Sequence, residues 1–226
     1  MESSAAGKTK SQAIIISGES GSGKTEATKF IMNYLTRIAT SQARRTDGFF
    51  EAEEGHLGQL EQKVLNSNPV LEAFGNARTL RNDNSSRFGK FIKIHFSSAG
   101  RIEGASIEKY LLEKTRLIRQ IEGERNFHIF YQLLKGANEP FLSSLGLERV
   151  IDAYSYLSCS SQSSCIPNLS DADEWSRTAQ CLHTIVDDVS VENDVFQLLA
   201  SILHLGNIYF TSSDAEECAK EVTEHS

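Results

Sequence analysis

Residues 18 to 25 read GESGSGKT, and this stretch with its flanks constrains the fold more than any other part of the chain. It fits the pattern G-x-x-x-x-G-K-[ST] at every fixed position. Before it, Gln12 to Ser17 (QAIIIS) is a short aliphatic run of buried-strand type. After it, Ala27, Phe30, Ile31, Tyr34, Leu35 and Ile38 recur every three or four residues, which predicts one face of a helix of about four turns. Strand, glycine loop and helix make the first unit of a βα fold. The chemistry accounts for the spelling. Gly18 and Gly23 let the backbone through Glu19, Ser20, Gly21 and Ser22 curl so that successive N–H groups face phosphate oxygens, and the helix adds its N-terminus to the same anion. Lys24 supplies a point charge to the outer phosphates, and the Thr25 hydroxyl suits Mg²⁺. The plainer reading, a glycine turn that only caps a helix, is weaker because the strand–loop–helix context is present. Gly7-Lys8-Thr9 repeats the ending without a preceding strand and is set aside.

Charge supports an anionic ligand. The formal net charge of the 226 residues is −7, but residues 1–135 hold 20 basic and 15 acidic side chains while residues 136–226 hold 3 and 15. The basic residues are scattered among carboxylates without an aromatic stacking platform, which argues against nucleic acid and for a small phosphorylated ligand. The longest wholly aliphatic run, Ile14 to Ile16, falls far short of a membrane span, and the N-terminus has no apolar signal core. A cytoplasmic protein is expected. The cysteines Cys159, Cys165, Cys181 and Cys218 form no Cys-x-x-Cys pair and read as reduced thiols, and His95, His128 and His204 as core or boundary histidines.

Along the chain, residues 1–11 are an unstructured lead and Ala39 to Gly55 an exposed loop. A helix from Leu57 should break near Asn68-Pro69. Phe88 to Phe96 alternates as a strand, with Ile92, Ile94 and Phe96 on one face, and turns at 97–101 into a second run from Ile102 to Leu112, a β-hairpin. Glu124 to Lys135 carries Phe127, Phe130, Tyr131 and Leu134 on a helical stripe. Residues 153–170 are serine-rich. Helices follow at Asp171 to Val186 and Val191 to Leu205, then a polar, acidic tail over 211–226.

A bound nucleotide needs a second group of residues to respond to its terminal phosphate and hold an attacking water. Asn82 to Gly89, NDNSSRFG, offers amides, adjacent hydroxyls and an arginine just before a strand, although such clusters are also ordinary turn chemistry.

The phosphate loop GESGSGKTEATK, the stretch NPVLEAFGNARTLRNDNSSRFGKFIKIHF at 68–96, EKYLLEKTRL at 108–117, ERNFHIFYQLL at 124–134 and LHLGNI at 203–208 together resemble the motor domain of myosins, over about residues 10–210. Ser22 stands where that family usually has alanine. The resemblance implies an α/β, P-loop NTPase fold with an incomplete central twisted mixed sheet flanked by helices. It divides 12–210 into the phosphate loop, switch I and sheet hairpin (12–123) and a helical upper part of the actin-binding cleft (124–210). It also implies an actin-activated ATPase with ATP and Mg²⁺ as ligands, in a cytoskeletal setting. Lys24 and the loop amides of residues 18–25 would hold the phosphates, and Thr25 and Ser86 would ligate Mg²⁺. Asn82 and Ser85 would contact the phosphates and the lytic water, and Arg87 would form the salt bridge that closes the site.

No Asp-x-x-Gly occurs in the chain, so the family's second switch has no counterpart and Arg87 is expected to lack a glutamate partner. A misplacement of about 1 Å costs on the order of 100-fold in rate, so a partial head on its own is expected to hydrolyse ATP negligibly. No actin-contact residue is identifiable. The alternatives are a non-hydrolysing nucleotide-binding remnant or scaffold module, and an unrelated P-loop GTPase or kinase, the GTPase disfavoured because Asn-Lys-x-Asp is also missing.

Overall fold

The computed structural model describes residues 11–19, 21–47, 59–98, 100–158, 165–167, 169–212 and 219–224. Residues 1–10 of the expected lead, 48–55 of the expected loop, Leu57, 159–164 and 168 of the serine-rich run, Cys159 and Cys218 lie outside them. Two compact units divide the chain: Met1–Leu65 with Phe91–Glu108, and Asn66–Lys90 with Lys109–Ser226.

In the first unit, α1 (Lys24–Asp47) starts on the lysine of the glycine loop, with Glu26 in its first turn, where the helix dipole favours an acid. It is longer than the periodicity predicts and takes up residues 39–47 of the expected loop. Those residues (ATSQARRTD) hold neither glycine nor proline and include good helix formers, so nothing stops the helix before Gly48. The buried stripe is Met32, Thr36 and Ala39, whereas Phe30 and Tyr34 of the predicted face are 73% and 65% exposed. Thr36 tolerates burial because its hydroxyl donates to the Met32 and Asn33 carbonyls, each at 3.0 Å. The run at 12–17 is not a strand. It takes no regular structure, and Ile14 and Ile15 are 63% and 90% exposed. A strand exists through its ladder, and no described strand pairs with this segment.

The predicted β-hairpin is present as β3 (Gly89–Phe96) and β4 (Ile102–Tyr110). Its turn closes by the Ser97 N–H donating to the Arg101 carbonyl at 2.8 Å, and Lys93 pairs with Glu108 across it. Ile92 and Ile94 are half-buried and alternate with exposed neighbours, but Phe96 is exposed too.

Instead of breaking, α2 (Gln59–Gly75) runs through Pro69. A proline inside a helix costs about 3 kcal/mol, and the packing of Val70, Ala73 and Phe74 on the core offsets it. At its end Gly75 lies against Phe88, where an added Cβ would sit 2.3 Å from the ring. The chain then forms a short antiparallel hairpin, β1 (Asn76–Thr79) and β2 (Asn82–Ser86), with Asn76 opposite Ser86, Ala77 opposite Ser85 and Thr79 opposite Asn82.

The core of the second unit is built on α3 (His128–Gly136), buried along His128 to Leu134. Around it are α4 (Glu139–Ser144), the single turn α5 (Ser155–Ser158), α6 (Asp171–Ile185) and α7 (Val189–Gly206), the last two close to prediction. Asn138, Ser170 and Asp188 cap α4, α6 and α7 through side-chain oxygens. Trp175 and Phe141 meet Phe196 with ring centroids 5.1 and 5.5 Å apart. The described residues of the expected tail join a strand pair: β5 (Ile208–Ser212) lies antiparallel to β6 (Ala219–Glu224). Among the described residues the strands therefore form three separate two-stranded sheets, not a central mixed sheet.

Candidate nucleotide site

The glycine loop departs from ordinary backbone at three glycines, Gly18, Gly21 and Gly23. Gly21 and Gly23 have φ of +83° and +82°, a region where an L side chain is strained whatever the room around it. Gly18 has φ +156°, and a Cβ there would lie 2.5 Å from Ser22 Oγ. The Ser22 N–H donates to the Glu19 carbonyl at 3.2 Å. Helical bonding begins only with the Ala27 N–H on the Gly23 carbonyl, so the N–H groups of Lys24, Thr25 and Glu26 are N-terminal donors without an intrahelical partner. The Lys24 ammonium folds back onto the loop, donating to the Gly18 and Glu19 carbonyls at 2.6 Å each. Ser20 lies outside the described residues. Left-handed glycines, bare helix N–H groups and one lysine are the donor set a polyphosphate requires.

In the second unit, residues 82–87 form strand β2 and its exit. The Asn82 Oδ1 accepts from the Asn84 N–H at 3.0 Å, and the Asn82 N–H donates to Thr79 Oγ1 at 3.2 Å. Ser85 is buried, and its Oγ accepts from Arg87 Nη1 at 3.1 Å. Ser86 Oγ donates to the Phe88 carbonyl at 3.0 Å. Asn84 Oδ1 accepts from Asn76 Nδ2 at 2.8 Å and lies 3.2 Å from His128 Nε2.

The expectation that Arg87 lacks a glutamate is corrected. Arg87 Nε donates to Glu113 Oε2 at 2.6 Å, and the same oxygen accepts from Arg116 Nε at 2.7 Å. Leu111 turns the chain into this residue with φ +53°. Arg116, 5% exposed, also donates to Glu124 Oε2 at 2.7 Å and to the Arg125 carbonyl at 3.0 Å. Burial pushes the Glu113 carboxyl upward, and hydrogen bonds and charge from Arg87 and Arg116 outweigh it, holding the group below the usual carboxylate range. Burial lowers Arg116, and its bonds to Glu113 and Glu124 more than reverse the effect.

Asn82, Ser85, Ser86 and Arg87 thus share one network, and residues 18–25 form the other within their own unit. Sequence reasoning missed Glu113, Arg116 and Glu124. The one readable signal was the i,i+3 pair Glu113 and Arg116. His128 is a core histidine as expected and Asn84 lies in the polar segment, but their contact is one that sequence reasoning did not foresee. Among the described residues no group of three or more His, Cys, Asp or Glu side chains is placed to hold a metal ion.

A family model described as myosin head (motor domain) matches residues 3–226. Unconventional myosin IC of Drosophila melanogaster is 47% identical over 205 residues, 90% of this chain and 18% of that protein. Myosin type-2 heavy chain 2 of Schizosaccharomyces pombe is 47% identical over 201 residues, 89% of this chain and 9% of that protein. Unconventional myosin-Ic of Bos taurus is 44% identical over 217 residues, 96% and 19% respectively. The chain spans less than a fifth of the length of these relatives. The left-handed glycine loop, the Asn82 to Arg87 segment and a match over nearly every residue agree: the chain belongs to the myosin head (motor domain) family.

Proposed function

We propose that this chain carries the phosphate-binding half of the MgATP site of an actin-based motor ATPase. The observation that carries the reading is the loop itself: two left-handed glycines lead into a helix whose first N–H groups have no backbone partner among the described residues, with the only ammonium of the loop laid back on its carbonyls. The donor set fits a polyphosphate. Gly18, Glu19, Ser20, Gly21, Ser22 and Gly23 would offer backbone N–H groups, and Lys24 would exchange the Gly18 and Glu19 carbonyls for phosphate oxygens. The hydroxyls of Thr25 and Ser86 would take Mg²⁺, a hard cation suited to oxygen ligands. When bound, MgATP supplies the phosphoryl group whose hydrolysis drives movement. Asn82 and Ser85 orient the terminal phosphate and water, and Arg87, gripped by Ser85 and Glu113, is held ready to close the segment.

In this reading the fold is of the P-loop NTPase type. Residues 12–123 would form the nucleotide part and 124–210 the helical part of the actin-binding cleft. The partner of the whole motor is the actin filament, which places the protein on the cytoskeleton. Among the described residues no helix is long and apolar enough to cross a membrane.

The test is Mg²⁺-dependent binding of a fluorescent ATP analogue to the purified chain beside Lys24→Ala. Saturable binding by the wild type and none by the variant supports the reading. Equal signals from both sink it.

A further inference from the structure

Asn84 has no role in the site proposed above, yet its side chain ties the hairpin to another element. Its Oδ1 faces two nitrogens from different elements, Asn76 Nδ2 of β1 and His128 Nε2 at the first position of α3. A carbonyl oxygen only accepts, so the second contact is a hydrogen bond only if Nε2 carries the proton. The other tautomer would set a ring lone pair against the carbonyl and bury an N–H at Nδ1, which has no hydrogen-bond partner. A bare acceptor there costs less than a bare donor facing nothing. The ring is 6% exposed, and burial, with the Arg125 charge beside it, pushes its pKa down to about 4 against the opposing pull of Asp171. The imidazole is therefore a neutral, single-donor group of fixed orientation. A cavity of about 80 Å³ is bordered by Asp83, Asn84, His128 and Gln132, and beside it the His128–Asn84 contact joins α3 to β2. Asn84 sits between Asn82, whose Oδ1 accepts from its N–H, and Ser85, which holds Arg87.

We propose that His128 is a positioning residue for the phosphate-responsive segment, its Nε2–H donating to Asn84 Oδ1 and so fixing the carriage of Asn82 and Ser85; this rests on the reading of residues 82–87 as that segment. His128 touches no ligand. It acts through Asn84 by setting where β2 stands against α3.

The test uses the whole chain, with His128→Phe to remove the donor at similar volume and His128→Gln to keep an N–H donor. Nitrogen-15 spectra of the imidazole at pH 7 should show the neutral Nε2–H form; a cationic ring or the Nδ1–H form overturns the proposal without need of any variant. Backbone hydrogen exchange at Asn84 and Ser85 should speed up in His128→Phe and return to wild-type rates in His128→Gln. Affinity for the fluorescent ATP analogue with Mg²⁺ should fall roughly fivefold in the Phe variant, about what one neutral hydrogen bond is worth, and recover within about twofold in the Gln variant. A Gln variant no better than Phe in both exchange and affinity overturns it. If the wild type binds no analogue, the nucleotide reading fails, and tautomer and exchange still decide the role of His128.

Discussion

One carboxylate oxygen, Glu113 Oε2, accepts from Arg87 Nε at 2.6 Å and from Arg116 Nε at 2.7 Å. Two guanidiniums converge on it from opposite sides of the sequence, one at the exit of the hairpin and one buried beside the core. Arg116 keeps a second acid, Glu124, but the only carboxylate on Arg87 among the described contacts is Glu113. The backbone reinforces the pair, because the Glu113 N–H donates to the Arg87 carbonyl at 3.0 Å.

Glu113→Gln removes the shared charge while keeping the shape. It should lower stability by about 1–2 kcal/mol, the value of charge-assisted bonds discounted for partial exposure, read as a shift in urea midpoint. Because the Glu113 pKa is held below its unfolded value, its contribution is present above the ordinary glutamate range and is lost as pH falls through its folded pKa. The variant should therefore differ from wild type at pH 7 and converge with it in acid. A difference that stays constant with pH would contradict the assignment.

His128 titrates in the opposite sense to most stabilising histidines. Its pKa falls from 6.5 to about 4 on folding, so between those values the unfolded chain holds a proton that the native chain refuses. Stability drops as pH falls from about 6.5 and levels off below about 4, by roughly 3 kcal/mol in all. Melts of wild type and His128→Gln across this window should show a steep acid limb in the first and a flatter one in the second.

The parts of the fold that sequence could reveal are those decided locally. The glycine loop, the hairpin at Gly89–Phe96 and Ile102–Tyr110, and the helices at Asp171–Ile185 and Val189–Gly206 all follow from turn residues, alternation or caps within a few positions. The errors share a different origin. QAIIIS has the composition of a buried strand, but strand formation depends on a neighbour the local sequence does not encode. Pro69 breaks isolated helices, yet the core beneath Val70, Ala73 and Phe74 overrides it. On α1 a hydrophobicity count selects Phe30 and Tyr34 over Thr36, whose hydroxyl is satisfied by its own helix. In the site, Asn82, Ser85, Ser86 and Arg87 were readable as a polar run. Glu113 lies 26 residues from Arg87 and His128 lies 44 from Asn84, so these partners are visible only in the fold.

Two glycines separate packing from backbone strain. A Cβ on Gly136 would stand 2.3 Å from the Trp175 Cβ, a part of the side chain that cannot swing away. Gly136→Ala should cost about 1–3 kcal/mol by overpacking the α3 and α6 contact, seen as a lower melting midpoint with nucleotide affinity unchanged at temperatures where the protein is folded. Gly23 has open space around its missing Cβ but a φ of +82°. Gly23→Ala should cost about 1–2 kcal/mol through strain alone and, unlike Gly136→Ala, should also weaken analogue binding, because relaxation of that strain turns the loop N–H groups away.

Lys24 divides folding from binding most sharply. In the described structure its ammonium has two acceptors, the Gly18 and Glu19 carbonyls, both exposed, so its removal should shift stability by less than about 1 kcal/mol. Removing a charge that faces an anion costs far more in affinity, about 2–5 kcal/mol, or some 30-fold to several thousand-fold. Lys24→Ala should therefore melt with the wild type while losing analogue binding. Lys24→Arg keeps the charge but replaces a compact three-donor head with a planar fork too large to reach both carbonyls in this loop, and should fail to restore affinity. Were the arginine variant to bind as tightly as wild type, general positive charge rather than the lysine's fit to the loop would govern the site.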